Sequence, residues 1–170
     1  IGCAEVGNLK PFLDIGCKCT GIDISCGRIE LAKEFYKNHK SRGNLQFICQ
    51  DIYKVDSLNR KFDLIIMRDV IEHIPNQEIF MDYVKKFLKP EGKFFLAFPP
   101  WYNPFGGHQQ ICESKLLSKL PYFHILPGFI YKLILKAFGE SPERIKGLME
   151  IKATGISIER FEGILKKENY

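Results

Sequence analysis

No run of roughly eighteen uncharged apolar residues, the length a membrane-spanning helix needs, occurs in the 170-residue chain. The nearest stretch, "HILPGFIYKLILKAF", is interrupted by Pro127 and Lys132, so stable membrane insertion is excluded. No charged-then-apolar opening of the signal-peptide kind is present, and the expectation is a cytoplasmic protein. The six cysteines, at 3, 17, 19, 26, 49 and 112, contain no C-x-x-C pair and no paired histidine spacing, so no metal site is expected. They read instead as reduced, mostly buried thiols, with Cys17 and Cys19 packing on one strand face. A basic block is also missing: 25 Lys and Arg stand against 20 Asp and Glu, spread along the chain, for a net charge of +5. No nucleic-acid partner is indicated by so mild and dispersed a charge. Internal repeats and low-complexity tracts are absent too.

What is present belongs to a globular α/β domain. Hydrophobic residues make up 45% and charged residues 26%, and 14 phenylalanines supply bulk for a filled core. Short apolar runs at 17–24, 45–50, 62–67 and 93–98 have the length and composition of buried parallel strands. Helical patterns lie between them. "SCGRIELAKEFYKNHK" carries Ser25 as N-cap with apolar residues at 29, 32 and 36, and "NQEIFMDYVKKFLK" carries Asn76 as cap with 80, 84, 87 and 88 inward. "KPEGK" at 89–93 reads as a tight turn whose Gly92 accepts positive φ. Strands alternating with helices imply βαβ units and a Rossmann-like, doubly wound, mostly parallel sheet.

The expected organisation is a single domain over 1–170. A core covers 1–98, an inserted lid or substrate segment 99–155, and a returning core helix 156–170 with Ile158, Phe161 and Leu165 on one stripe. The lid is rich in Pro, Gly and aromatics, with short helical pieces at "CESKLLSKL" and "GFIYKLILKAF". The opening "IGCAEVG" stands where a full strand should precede a Gly-rich turn, and the last helix should feed another strand. The residues therefore read as part of a longer chain, with terminal strands outside it.

Two registers compete for the first turn. If "FLDIGC" were the first strand and loop, its glycines, Gly16 and Gly21, would be too far apart, and the following acidic strand end would fall inside a helix pattern. With "IGCAEVGN" as the loop, Gly2, Ala4 and Gly7 supply small positions, "NLKPFLDI" is the first helix and Gly16 its stop. Asp23 then ends the second strand, where a carboxylate can accept two ribose hydroxyls.

In that register four motifs occur in order: "IGCAEVG", "GIDIS", "CQDI", and "FDLIIMRDVIEHI" followed by "LKPEGKFFL". Together they resemble the class I S-adenosylmethionine-dependent methyltransferases, in particular the small-molecule group related to the ubiquinone- and menaquinone-pathway enzymes. The usual loop has glycine where Ala4 and Val6 stand. The resemblance implies S-adenosyl-L-methionine as cofactor and S-adenosyl-L-homocysteine as product. It implies that Gly2, Cys3 and Gly7 pass under the methionine part, Asp23 holds the ribose, Ile24 packs on adenine, and Asp51 with Ile52 meets the adenine amino group and ring. Arg68 and Asp69 would stand near the methionine end.

Methyl transfer from a sulfonium is an in-line displacement that asks mainly for alignment and exclusion of water. A base is added where the acceptor is a poor nucleophile. "FPPW" at 98–101 looks like an amino-methylation tetrapeptide but follows the fifth strand of the pattern instead of the fourth. The candidate catalytic residues are His108, in "NPFGGHQQ", and Tyr102, while His73 in "IEHI" reads as a packing and hydrogen-bonding residue. The expected partner is a small, apolar-leaning acceptor. Two other readings stand beside this one. The first is a nicotinamide-dependent oxidoreductase, because the loop also fits G-x-G/A-x-x-G; the second is a non-catalytic methyltransferase-like binding subunit.

Overall fold

Parallel pairing accounts for all four strands in the computed structural model, which describes residues 1–3, 7–168 and 170. The chain divides into two compact units, one made of 1–70 and 83–97, the other of 71–82 and 98–170.

In the first unit, β1 (Cys19–Asp23) pairs with β2 (Leu45–Cys49), Asp23 lying opposite Cys49. β3 (Phe62–Arg68) pairs with β4 (Leu88–Ala97). Ile1 N donates to Ile66 O at 3.0 Å and Cys3 N to Ile22 O at 3.1 Å, so residues 1–3 are hydrogen-bonded toward both β3 and β1. A side chain at position 21 would press on the Cys3 sulfur and the Phe47 ring, each 3.0 Å from its Cβ, so both neighbours would have to give by a few tenths of an ångström. Helix α1 (Lys10–Asp14) ends as its sequence requires. Gly16 takes φ +87, its N–H reaches Leu13 O and that of Cys17 reaches Phe12 O, both at 3.0 Å, which is a Schellman cap. Leu13, fully buried, packs with Cys19, Ala32, Tyr36 and Leu45 beneath α2 (Cys26–Phe35).

Three local expectations are corrected. Helix α2 ends at Phe35, well short of Lys40. Ser25 occupies its N-cap position, but its side chain makes no capping bond; its N–H donates to Asp23 Oδ1 at 2.9 Å. The "KPEGK" segment is an irregularity inside β4: pairing advances on β3 from Phe62 to Leu64 while it advances on β4 from Leu88 to Lys93. The positive φ there belongs to Glu91, at +64°. Gly92 serves a different need, since its Cβ would stand 2.9 Å from both Lys89 O and Phe62 O.

The thiols depart from expectation as well. Cys26 and Cys49 are joined in a disulfide that ties the start of α2 to the end of β2, while Cys3, Cys17, Cys19 and Cys112 are free. Cys17 is exposed and precedes the strand, so it does not share a packed face with buried Cys19.

Helix α3 (Gln77–Lys85) follows Asn76, which takes φ +51, and its Phe80, Met81 and Val84 are fully buried. In the second unit, α4 (Gly128–Ala137) and α5 (Pro142–Thr154) enclose Cys112, Leu117, Phe123, Tyr131, Leu135, Ile145 and Leu148. Helix α5 is absent from the sequence reading, although Ser141 caps it by accepting from Arg144 N and Pro142 stands at its first turn. "CESKLLSKL" contributes only a 3-10 turn at Leu117–Lys119. In α6 (Ile158–Lys167) the buried position is Ile164; Phe161 stacks edge-on against Phe98 with ring centres 4.9 Å apart, and Ile158 is exposed. No helix among the described residues is long and apolar enough to cross a membrane.

Candidate functional site

Because β1 and β2 run parallel, their carboxyl ends emerge side by side, and the acidic residues of the sequence motifs collect there. Asp23 closes β1 at 8% exposure, its Oδ1 accepting the Ser25 N–H. Gln50 N donates to Asp23 O at 3.0 Å, which holds the β2 exit against the β1 exit. Asp51 follows, its Oδ1 accepting Tyr53 N at 3.1 Å and so capping the 3-10 turn Ile52–Lys54. Ile24 projects into solvent at 75% exposure, whereas Ile52 is 8% exposed and turned into the core.

The first turn approaches these groups from β1. Gly2 adopts φ +60, and a Cβ there would run into the Val70 side chain, so the position excludes any larger residue on two counts. Burial pushes the Cys3 thiol up to about 11, which keeps it protonated and unreactive near neutrality. Gly7 opens the 3-10 turn Gly7–Leu9 with open space around it, so packing does not demand a glycine there. Ala4 and Val6 lie outside the described residues. At the end of β3, Arg68 Nε stands 3.3 Å from Asp69 Oδ2 with both side chains more than half exposed, and Asp69 turns the chain at φ +53. Gly2, Cys3, Asp23, Ile24, Asp51, Arg68 and Asp69 thus belong to strand ends and the turns beside them.

A cleft lies elsewhere in the first unit. It measures about 660 Å3 and is lined by Leu9, Phe12, Cys19, Ile22, Leu58 and Ile65 among others, toward the amino ends of the strands. Of the residues predicted to hold the cofactor, Ile52 alone is among those lining it.

A second constellation occupies the other unit. Glu72, at 1% exposure, lies with His73 and His108, the ligand-capable atoms of all three within 4.8 Å of one another. The two imidazoles meet edge-on, ring centres 5.3 Å apart. Tyr102, the other candidate, is 63% exposed and outside this cluster. Behind His108 a buried network fixes the loop. Gln109 Nε2 donates to Pro104 O at 2.7 Å and faces His124 Nδ1 at 3.3 Å, while His124 Nε2 stands 2.8 Å from Trp101 O. That arrangement suits the neutral imidazole with its proton on Nε2, and burial lowers the His124 pKa, outweighing the Trp101 bond that raises it. Sequence reading passed over His124 and Gln109, and it treated His73 apart from His108, since no fixed spacing links residues on separate loops.

A family model described as methyltransferase domain matches residues 1–96. Among curated relatives, a ubiquinone biosynthesis O-methyltransferase of Pelagibacter ubique is 30% identical over 97 residues, covering 57% of this chain and 39% of its own. Sterol 4-C-methyltransferase strm-1 of Caenorhabditis elegans is 28% identical over 96 residues, 56% of this chain and 29% of its own. A ubiquinone biosynthesis O-methyltransferase of Bartonella bacilliformis matches likewise, at 28% identity with 38% of its length covered, so the chain spans well under half of these relatives. Among solved structures, a Haemonchus contortus N-methyltransferase in complex with phosphomonomethylethanolamine and S-adenosylhomocysteine superposes with TM-score 0.63 at 17% identity, covering 98% of this chain and 31% of that one. A plantazolicin methyltransferase with S-adenosylhomocysteine gives TM-score 0.62 at 17% identity, covering 98% and 52%. These likenesses establish the fold, and the family match sets aside the nicotinamide-dependent reading. With its matched stretch running from the first turn through β4, the chain belongs to the methyltransferase-domain family.

Proposed function

We propose that the protein transfers a methyl group from S-adenosylmethionine to a small, apolar acceptor. The observation that carries this reading is the pair of carboxylates, Asp23 and Asp51, at the adjoining carboxyl ends of β1 and β2 beside a first turn that only glycine at position 2 can make. The donor set fits the cofactor. Asp23 is a two-oxygen acceptor suited to paired ribose hydroxyls, Asp51 suits the adenine amino group, and exposed Ile24 offers an apolar cover for the ring. Ile52, turned inward, contributes its backbone to that position and not its side chain. Gly2, Cys3 and Gly7 would pass beneath the methionine part, with Arg68 and Asp69 beyond it. When bound, the cofactor supplies an electrophilic methyl on a sulfonium, so the chain's residues need chiefly to align an acceptor and exclude water.

Acceptor handling falls to the second unit in this reading, with 99–155 as lid. Phe129 and Leu133 of α4 are 75% and 65% exposed, and the relatives include a ubiquinone biosynthesis O-methyltransferase and a sterol 4-C-methyltransferase. His108 is the candidate base and Tyr102 a candidate acceptor contact in this reading.

Calorimetric titration of S-adenosylhomocysteine tests the site. A hydrogen bond to a charged group contributes about 1.5–3 kcal/mol, so Asp23→Ala should weaken binding by roughly 10- to 150-fold. Unchanged affinity would sink the assignment. A protein that binds the cofactor but methylates none of a panel of phenols, quinols and sterols would instead match a non-catalytic binding subunit.

A further inference from the structure

We propose that Glu72, His73 and His108 form a binding site for a divalent first-row transition-metal ion, with zinc the best-matched member of the class. The inference rests on the second unit alone, and it makes His108 a metal ligand where the methyl-transfer reading uses it as a candidate base.

Spacing is the first argument. Glu72 Oε1 stands 3.8 Å from His73 Nε2 and 3.6 Å from His108 Nε2. Both separations exceed hydrogen-bond range. A tetrahedral ion with bonds of about 2.0–2.1 Å holds its ligand atoms roughly 3.4 Å apart, so the trio closes onto an ion through shifts of well under an ångström for these two pairs. Two imidazoles and one carboxylate form a borderline donor set that suits zinc, iron, cobalt or nickel and matches magnesium poorly, since magnesium prefers oxygen and water.

The supports around the trio are the second argument. Glu72 lies in the short turn Ile71–His73, two of whose carbonyls accept from side chains of the same unit. Thr154 Oγ1 donates to Glu72 O, and Gln77, 1% exposed, donates through Nε2 to Ile71 O at 3.0 Å and also to Thr154 O. On the other side His108 takes φ +56 directly after Gly107, where a Cβ would collide with the His124 side chain. Gln109, fully buried, ties the loop to Pro104 O and Leu120 O. Ligands held this way resist the rotamer freedom that otherwise weakens a site. Access is the third argument. The carboxylate is buried, but the His73 and His108 side chains are 44% and 24% exposed, which leaves an entry path and an open coordination position for water or another oxygen.

A proton shared between carboxylate and imidazole is the competing occupant, and it predicts no metal affinity. The test uses the chelator-stripped chain titrated with cobalt(II), followed by its visible absorption, with zinc competition read by calorimetry. One cobalt per chain is expected, displaced by zinc and not by magnesium. His73→Ala and His108→Ala, both partly exposed positions that keep the fold, should each weaken binding at least tenfold, and Glu72→Gln should do so with an unchanged circular dichroism spectrum. Cys17→Ser and His39→Ala should leave it as it was. Failure of cobalt or zinc to bind, or binding that survives both histidine variants or is lost with Cys17, would overturn the proposal. None of these readouts depends on the cofactor, so a negative result here leaves the methyl-transfer reading untouched.

Discussion

Tyr131 provides a direct test of how the second unit is held together. Its side chain is fully buried among Cys112, Phe123, Leu135 and Leu148, and its hydroxyl has no hydrogen-bond partner among the described residues. Burial raises the phenol pKa well above the usual tyrosine range, so the group stays neutral at any ordinary pH. An unsatisfied buried hydroxyl costs about 1–3 kcal/mol of desolvation, while the contacts of one oxygen atom return only a few tenths. Tyr131→Phe keeps the ring against Phe123, 4.8 Å away between centres, and under the Lys152 ammonium at 5.6 Å. The expected result is therefore a gain of about 1 kcal/mol, read as a higher urea midpoint at unchanged m and a Tm rise of roughly 2–4 °C for a chain of this size. Tyr131→Leu, which removes the ring, should instead destabilise by about 2 kcal/mol or more. If Tyr131→Phe loses 1 kcal/mol or more, the hydroxyl is bonded in the folded protein and the reasoning fails.

Gly107→Ala should destabilise by about 1–3 kcal/mol or more, because its methyl enters the space of the His124 side chain and the loop must shift; a urea midpoint within error of the parent would contradict that packing. The same variant should reduce cobalt binding by displacing His108. His124 gives the unit a pH dependence. Its folded pKa lies below the unfolded value, so its contribution is fully present above about pH 6.5 and is lost as pH falls through the folded pKa. Urea midpoints should fall on acidification toward pH 5, and His124→Gln should flatten that limb; an equally steep limb in the variant would assign the acid sensitivity to other groups.

The four strands are visible as short apolar runs of strand length, and Gly16 is visible because a helix stop needs a left-handed residue. Helix α5 is equally encoded, in Ser141 and Pro142, but its apolar positions are sparse among charged ones and its periodicity is weak. Gly92 shows a limit of a different kind: the residue is required, yet the reason is a close approach to Phe62 O from another strand, which no local rule reveals. The carboxylates Asp23 and Asp51 were legible since strand-end position is a local property. The Glu72, His73 and His108 grouping was not, because it arises only when two loops fold against each other. The Cys26 to Cys49 bond escaped for the same reason: strand register, and not spacing, brings those residues together.

The division of the chain into units has a practical consequence for anyone wishing to shorten it. The family match ends at residue 96, which invites a cut after β4. Such a cut would leave the segment Ile71–Asp82 in place while discarding the rest of the unit it belongs to. Gln77 would lose Thr154, Met81 O would lose the Tyr170 hydroxyl, and Glu78 would lose Lys167. The severed product would carry a twelve-residue orphan between β3 and α3's last turn, with Phe80 and Met81 uncovered, and aggregation is its expected fate. The matched region marks a stretch of shared ancestry, and its extent does not coincide with either compact unit.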